Sequence, residues 1–134
     1  MMTIKPTDSE LEILQVLWQK GLCTVREVHE ALDKKEAGYT TTLKLMQIMH
    51  EKGLVDRDTS ARTHIYRALL SQEKTQQQLV NKMIDHVFNG SAARLVMQAL
   101  GNQSASMEEI ERIQAYLSEL SEVAKDTGSN NDKK

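Results

Sequence analysis

Apolar positions along residues 8–52 recur at spacings of three and four, with polar residues between them. That pattern predicts three amphipathic helices in succession. Leu11, Ile13, Leu14, Val16, Leu17 and Trp18 form the buried face of the first. Thr7 or Asp8 caps it, Glu10 follows near its start, and Gly21 ends it. Thr24 opens the second helix as a capping box with Glu27, and Val25, Val28 and Leu32 make one inward stripe. Lys34, Lys35, Glu36 and Gly38 read as a polar turn. The third helix runs from about Thr40 to Lys52, with Leu43, Met46 and Met49 packed inward. Thr40, Thr41, Lys44, Gln47 and Glu51 fall mostly on its other side.

After Gly53 the period changes from helical to alternating. Leu54 and Val55 begin a strand, Asp58-Thr59-Ser60-Ala61 makes a polar turn, and His64 to Leu69 alternates, with Ile65 on one face and Tyr66 on the other. Helical spacing then returns. Residues 72–88 carry Leu79, Val80, Met83, Ile84 and Val87 on one stripe, and Asn89-Gly90-Ser91 breaks the helix. Residues 92–100 form a short helix with Leu95, Val96, Ala99 and Leu100 apolar. Ser106 caps a last helix in which Ile110, Ile113, Leu117 and Leu120 follow the spacing of a coiled-coil seam.

The predicted architecture is mainly α with a small β wing. A winged helix-turn-helix occupies residues 1–71, a helical dimerisation region residues 72–123, and a disordered tail residues 124–134. The later helices carry more apolar surface than three helices hide alone. A second copy of the chain is the simplest cover, which makes Leu79, Met83, Leu95, Ile110, Ile113, Leu117 and Leu120 the expected homodimer contacts.

A helix followed by a hairpin is what a winged-helix reader of double-stranded DNA requires. The third helix enters the major groove and the hairpin lies against neighbouring phosphates. Hydroxyls at a helix start, here Thr40 and Thr41, bond phosphate. Lys44 reaches a guanine edge or a phosphate, and Gln47 pairs with adenine. Arg62 and His64, with Arg57, flank the wing turn and suit phosphate or minor-groove contact. The same polar residues also suit an ordinary solvated surface; their place before and within a hairpin favours DNA.

Composition changes this picture little. A length of 134 residues suits one small domain with an appendage, and 40% hydrophobic content with 4% aromatic means a core of aliphatic and Met side chains. The net charge of −2 does not advertise nucleic acid. Residues 38–71 hold five basic and three acidic residues, whereas residues 72–134 hold seven and nine. The DNA reading therefore rests on where a few cations sit. The single cysteine, Cys23, excludes an internal disulfide and a Cys-based metal cluster, and fits the expected cytoplasmic setting. No apolar run spans a membrane, and the N-terminus lacks the apolar core of a signal peptide. His29-Glu30-Ala31-Leu32-Asp33 approaches the zinc motif H-E-x-x-H, but Asp33 stands where the second His is needed. With no metal site, cofactor site or catalytic constellation in the pattern, an enzyme is not expected. The rival class is a protein-interaction adaptor that uses the winged helix as a docking surface.

Five segments, in order, carry a family resemblance. They are Glu10-Leu11-Glu12-Ile13-Leu14 with Leu17-Trp18, Thr24-Val25-Arg26-Glu27-Val28, Tyr39-Thr40-Thr41 leading to Leu43, Glu51-Lys52-Gly53-Leu54-Val55, and Arg62-Thr63-His64-Ile65-Tyr66. From Pro6 to about Leu120 the chain resembles the penicillinase-repressor family, which includes beta-lactamase, methicillin-resistance and copper-transport repressors. The resemblance implies a dimeric winged-helix repressor on palindromic operators. It also implies groove reading by a Thr-rich helix start, here Thr40, Thr41, Thr42 and Lys44, and a dimer formed by the C-terminal helices. Two departures stand out. The copper repressors end in a Cys-rich metal motif that this tail lacks. The beta-lactam repressors are cut at an Asn–Phe bond, where this chain has Gln98-Ala99; these two are the candidate cleavage position for a sensor protease.

Overall fold

Each predicted helix of the first half carries an apolar stripe, and a capping box or a glycine stop marks at least one of its limits. The computed structural model describes residues 5–32, 38–102 and 104–131. Helix α1 spans Asp8–Lys20. The Thr7 Oγ1 accepts from the Glu10 N–H at 3.2 Å and Glu10 Oε1 accepts from the Thr7 N–H at 2.9 Å, a closed capping box. Gly21, at φ 83°, ends it in a backbone conformation that a side chain would strain. Helix α2 (Val25–Ala31) opens with the same device between Thr24 and Glu27. Helix α3 (Tyr39–Lys52) stops at Gly53, which sits in the left-handed region. The polar turn expected at Lys34, Lys35 and Glu36 lies outside the described residues.

Strands β1 (Val55–Asp58) and β2 (Ile65–Ala68) form an antiparallel hairpin in which Val55 faces Ala68 and Asp58 faces Ile65. Its tip closes where Asp58 Oδ1 accepts the Ser60 N–H at 2.9 Å, and that bond holds the Asp58 carboxyl below its ordinary value. Cys23 extends the hairpin by one bridge: its N–H donates to Tyr66 O at 3.0 Å and its carbonyl accepts from the Tyr66 N–H at 2.7 Å.

One core closes this module. Ile13, Leu14, Val28, Met46, Met49 and Leu54 are completely buried, and Val55 and Tyr66 nearly so. Two polar links tie distant segments across it. Trp18 Nε1 donates to Leu70 O at 2.9 Å. Lys52 Nζ donates to both Glu10 oxygens at 2.8 and 2.9 Å, joining the end of α3 to the start of α1. Burial pulls the Glu10 carboxyl upward, but the Lys52 ammonium and the Thr7 contacts outweigh it and hold the carboxyl below its ordinary value.

The chain divides into two compact units, Met1–Val80 and Asn81–Lys134. The division falls inside helix α4 (Gln72–His86) rather than at Ser71. Thr75, in the first turn of α4, is buried and donates its Oγ1–H to Ser71 O at 2.7 Å. Asn89 and Gly90, both with positive φ, turn the chain, and Ser91 Oγ accepts the Arg94 N–H at the start of α5 (Ala92–Asn102). Ser106 Oγ caps α6 (Met107–Asn131) through the Glu109 N–H. The expected disordered tail from residue 124 is instead helical as far as Asn131, because extending a formed helix needs no new nucleus and no Pro interrupts it. Residues 132–134 lie outside the described residues.

Candidate nucleic-acid interface

The exposed side of α3 follows from what its buried side needs. Thr42, Met46 and Met49 point into the core, at spacings of four and three. Thr40, Thr41, Lys44 and Gln47 are therefore left in solvent, and all four are exposed. None of their side chains has a hydrogen-bond or ion-pair partner among the described residues. Thr42 departs from the expected reading face. It is 2% exposed, and its Oγ1 shares a 2.9 Å hydrogen bond with His29 Nδ1 of α2. Of three successive threonines, the helical period turns one inward, and its hydroxyl is satisfied there.

The hairpin contributes Arg62 and His64, both exposed and both without a carboxylate partner among the described residues. Arg57 is half-buried at the other flank. Arg67 pairs with Asp56 at 3.1 Å on the exposed strand surface. Tyr66 is 1% exposed and belongs to the core. Its strand neighbour Ile65 takes the outward position, as the alternation requires.

A cleft of about 490 Å³ joins these parts. The start of α2, the exposed side of α3 and the hairpin line it, with Arg26, Tyr39, Gln47, Arg62 and His64 among the lining residues. None of the lining residues is acidic. A second cleft, of about 500 Å³, is lined by Glu27, Glu30, Lys20 and Cys23. Its two carboxylates against one ammonium make it a poor site for phosphate. Cys23 is 2% exposed there, and burial, then Glu27, pushes its thiol up, away from the reactive thiolate.

Arg26 and Tyr39 are the residues that sequence reasoning passed over as site residues. The Arg26 guanidinium lies 4.8 Å from the Tyr39 ring centre, and the same ring meets His29 edge-on at 5.9 Å. Thirteen positions separate Arg26 from Tyr39, so no local spacing signals the pair. No group of three or more metal-binding side chains occurs among the described residues.

The expected dimer residues lie on α4, α5 and α6. Leu79, Leu95 and Ile113 are half-buried, whereas Met83, Ile110, Leu117 and Leu120 are 39–54% exposed. Gln98 and Ala99 sit within α5 and are exposed. No helix among the described residues is long and apolar enough to cross a membrane.

Comparison with known proteins gives this geometry a family. The penicillinase-repressor profile matches residues 6–119. The penicillinase repressor of Bacillus licheniformis is 24% identical over 84% of this chain and 89% of its own length. The methicillin resistance regulatory protein MecI of Staphylococcus aureus is 21% identical over 86% of this chain and 94% of its own. Among solved structures, a mutant of ZitR from Lactococcus lactis aligns at 22% identity with a TM-score of 0.43, covering 89% of this chain and 75% of that one. With nearly its whole folded length matched, the chain belongs to the penicillinase-repressor family, whose members are DNA-binding transcriptional regulators and not enzymes.

Proposed function

We propose that the protein is a cytoplasmic homodimeric repressor that binds a palindromic operator. The observation that carries this reading is the solvent side of α3. There Thr40, Thr41, Lys44 and Gln47 stand without side-chain partners among the described residues, and Gln47 lines the same cleft as Arg62 and His64, whose lining holds no carboxylate. Lys44 and Gln47 read base edges in the major groove, the two threonines hold phosphate at the helix start, and Arg62 and His64 hold phosphate from the hairpin. Thr42 serves the fold and not the DNA.

The exposed apolar faces of the other unit support the dimer in this reading. The apolar faces of α5 and α6 are exposed in the single chain, and a second copy covers them. A two-fold dimer would set two α3 helices about one turn of DNA apart, roughly 34 Å. Tethering turns two weak half-site contacts into one strong one, so a signal that weakens the dimer induces the regulated genes. Cleavage at Gln98-Ala99 by a sensor protease is one such signal. It requires α5 to open locally first, because both residues are helical.

A gel shift of the purified protein on its own promoter tests the proposal, with competitor DNA and across a salt series. A specific complex of two chains per site that weakens steeply with salt is expected. Folded, dimeric protein that gives no specific complex at low salt would overturn it.

A further inference from the structure

Arg26 lies in the first turn of α2, is exposed, and has no carboxylate partner among the described residues. The adjacent Glu27 is already engaged: its Oε1 accepts the Thr24 N–H at 2.8 Å in the capping box. What holds Arg26 is the face of Tyr39, at 4.8 Å. A guanidinium held over a ring face by cation–π attraction spends none of its N–H donors there and keeps them for phosphate oxygens.

Tyr39 is itself braced. Its ring meets His29 edge-on, and His29 is hydrogen-bonded to the buried Thr42 of α3. The guanidinium is thus tied to the first turn of the helix that carries Lys44 and Gln47. It also lines the same cleft as Gln47, Arg62 and His64.

We propose that Arg26 is a phosphate-binding residue. Together with Arg62 and His64, it grips one sugar–phosphate strand of duplex DNA across the cleft between α2 and the hairpin. The proposal rests on the DNA-binding reading above and adds to it a third contact element, one from α2. Arg26 fixes how far α3 enters the groove without reading sequence, so its loss weakens all duplexes alike.

The test is fluorescence anisotropy of the full chain on a labelled 30-base-pair duplex of arbitrary sequence and on its own promoter, over a salt series. For Arg26→Gln, the slope of log affinity against log salt is expected to fall by about one per protomer, with a loss on the order of tens-fold at 0.1 M salt for a dimer on either duplex. Arg26→Lys should restore most of the slope, and Tyr39→Phe should keep it, since the ring and not the hydroxyl holds Arg26. Tyr39→Leu should lose part of it. A merely structural role for Arg26 would lower the melting temperature and leave the slope unchanged. If the wild-type chain binds both duplexes and Arg26→Gln keeps its slope, this proposal alone is overturned. If the wild-type chain shows no salt-dependent binding, the DNA-binding reading falls with it.

Discussion

The two units treat their apolar side chains in opposite ways. In Met1–Val80, α1, α2, α3 and the hairpin surround a shared core, and six large side chains there are completely shielded. In Asn81–Lys134, no described residue whose side chain is placed is buried, and Met97, Met107, Tyr116 and Val123 are each more than half exposed. Two helices and the end of a third cannot enclose a core, because each helix needs neighbours on most of its apolar stripe. The first unit is a finished domain that can present a fixed surface to DNA. The second leaves much of its apolar surface in solvent in the single chain.

The sharpest way to break this comparison is to charge the open face. Leu117→Asp should leave the chain monomeric, raising the dimer dissociation constant by roughly 100-fold or more, because each interface would bury two unpaired carboxylates. Sedimentation velocity gives the readout, and melting of the first unit should not change. A persistent dimer would move the interface off α6. Leu14→Ala asks the converse question. Leu14 is completely buried, so its truncation should destabilise the first unit by about 2–5 kcal/mol in chemical denaturation, with no effect on the dimer once folded. A loss that varied with protein concentration would show that the two units are not energetically separate.

A smaller effect sharpens the account of the first unit. The Glu10 carboxyl has its value depressed in the fold, so its contribution is present above the unfolded value and is lost as pH falls through the folded one. Glu10→Gln should cost about 1 kcal/mol at neutral pH, limited because Lys52 is 38% exposed, and should flatten the acid limb of the stability curve. Denaturation midpoints between neutral pH and about pH 3 give the comparison; an unaltered acid limb would remove the ion pair from the account. The least disruptive change is Lys44→Ala, on an exposed position. It should leave folding and the dimer intact and reduce operator affinity several-fold, with a salt slope lower by about one per protomer. Unchanged affinity would take Lys44 out of the interface.

Much of this was legible along the chain, for reasons that differ by element. The capping boxes at Thr7 and Thr24 and the glycine stops at Gly21 and Gly53 act within a few residues, so local sequence marks them. The hairpin was legible because its alternation and its polar turn are local too. Thr40, Thr41, Lys44 and Gln47 were recognisable as outward positions once the period of α3 was known. The same period turns Thr42 inward with Met46 and Met49, so its place among three successive threonines misled where the spacing did not; only its histidine partner was beyond the sequence. The tail shows the same limit: polar composition suggested disorder, whereas the helix already formed ahead of it carries on to Asn131.

The sequence by itself therefore determined the order of elements and the ends of those that carry a cap or a glycine stop. Those depend on hydrogen bonds and periodicities that span a handful of residues. Only the tertiary structure decided the pairings across long stretches of chain: Glu10 with Lys52, Trp18 with Leu70, Cys23 with Tyr66, His29 with Thr42, and Arg26 with Tyr39. Each of these needs two segments brought together by burial of a common core, and nothing in the spacing along the chain encodes which pair will meet.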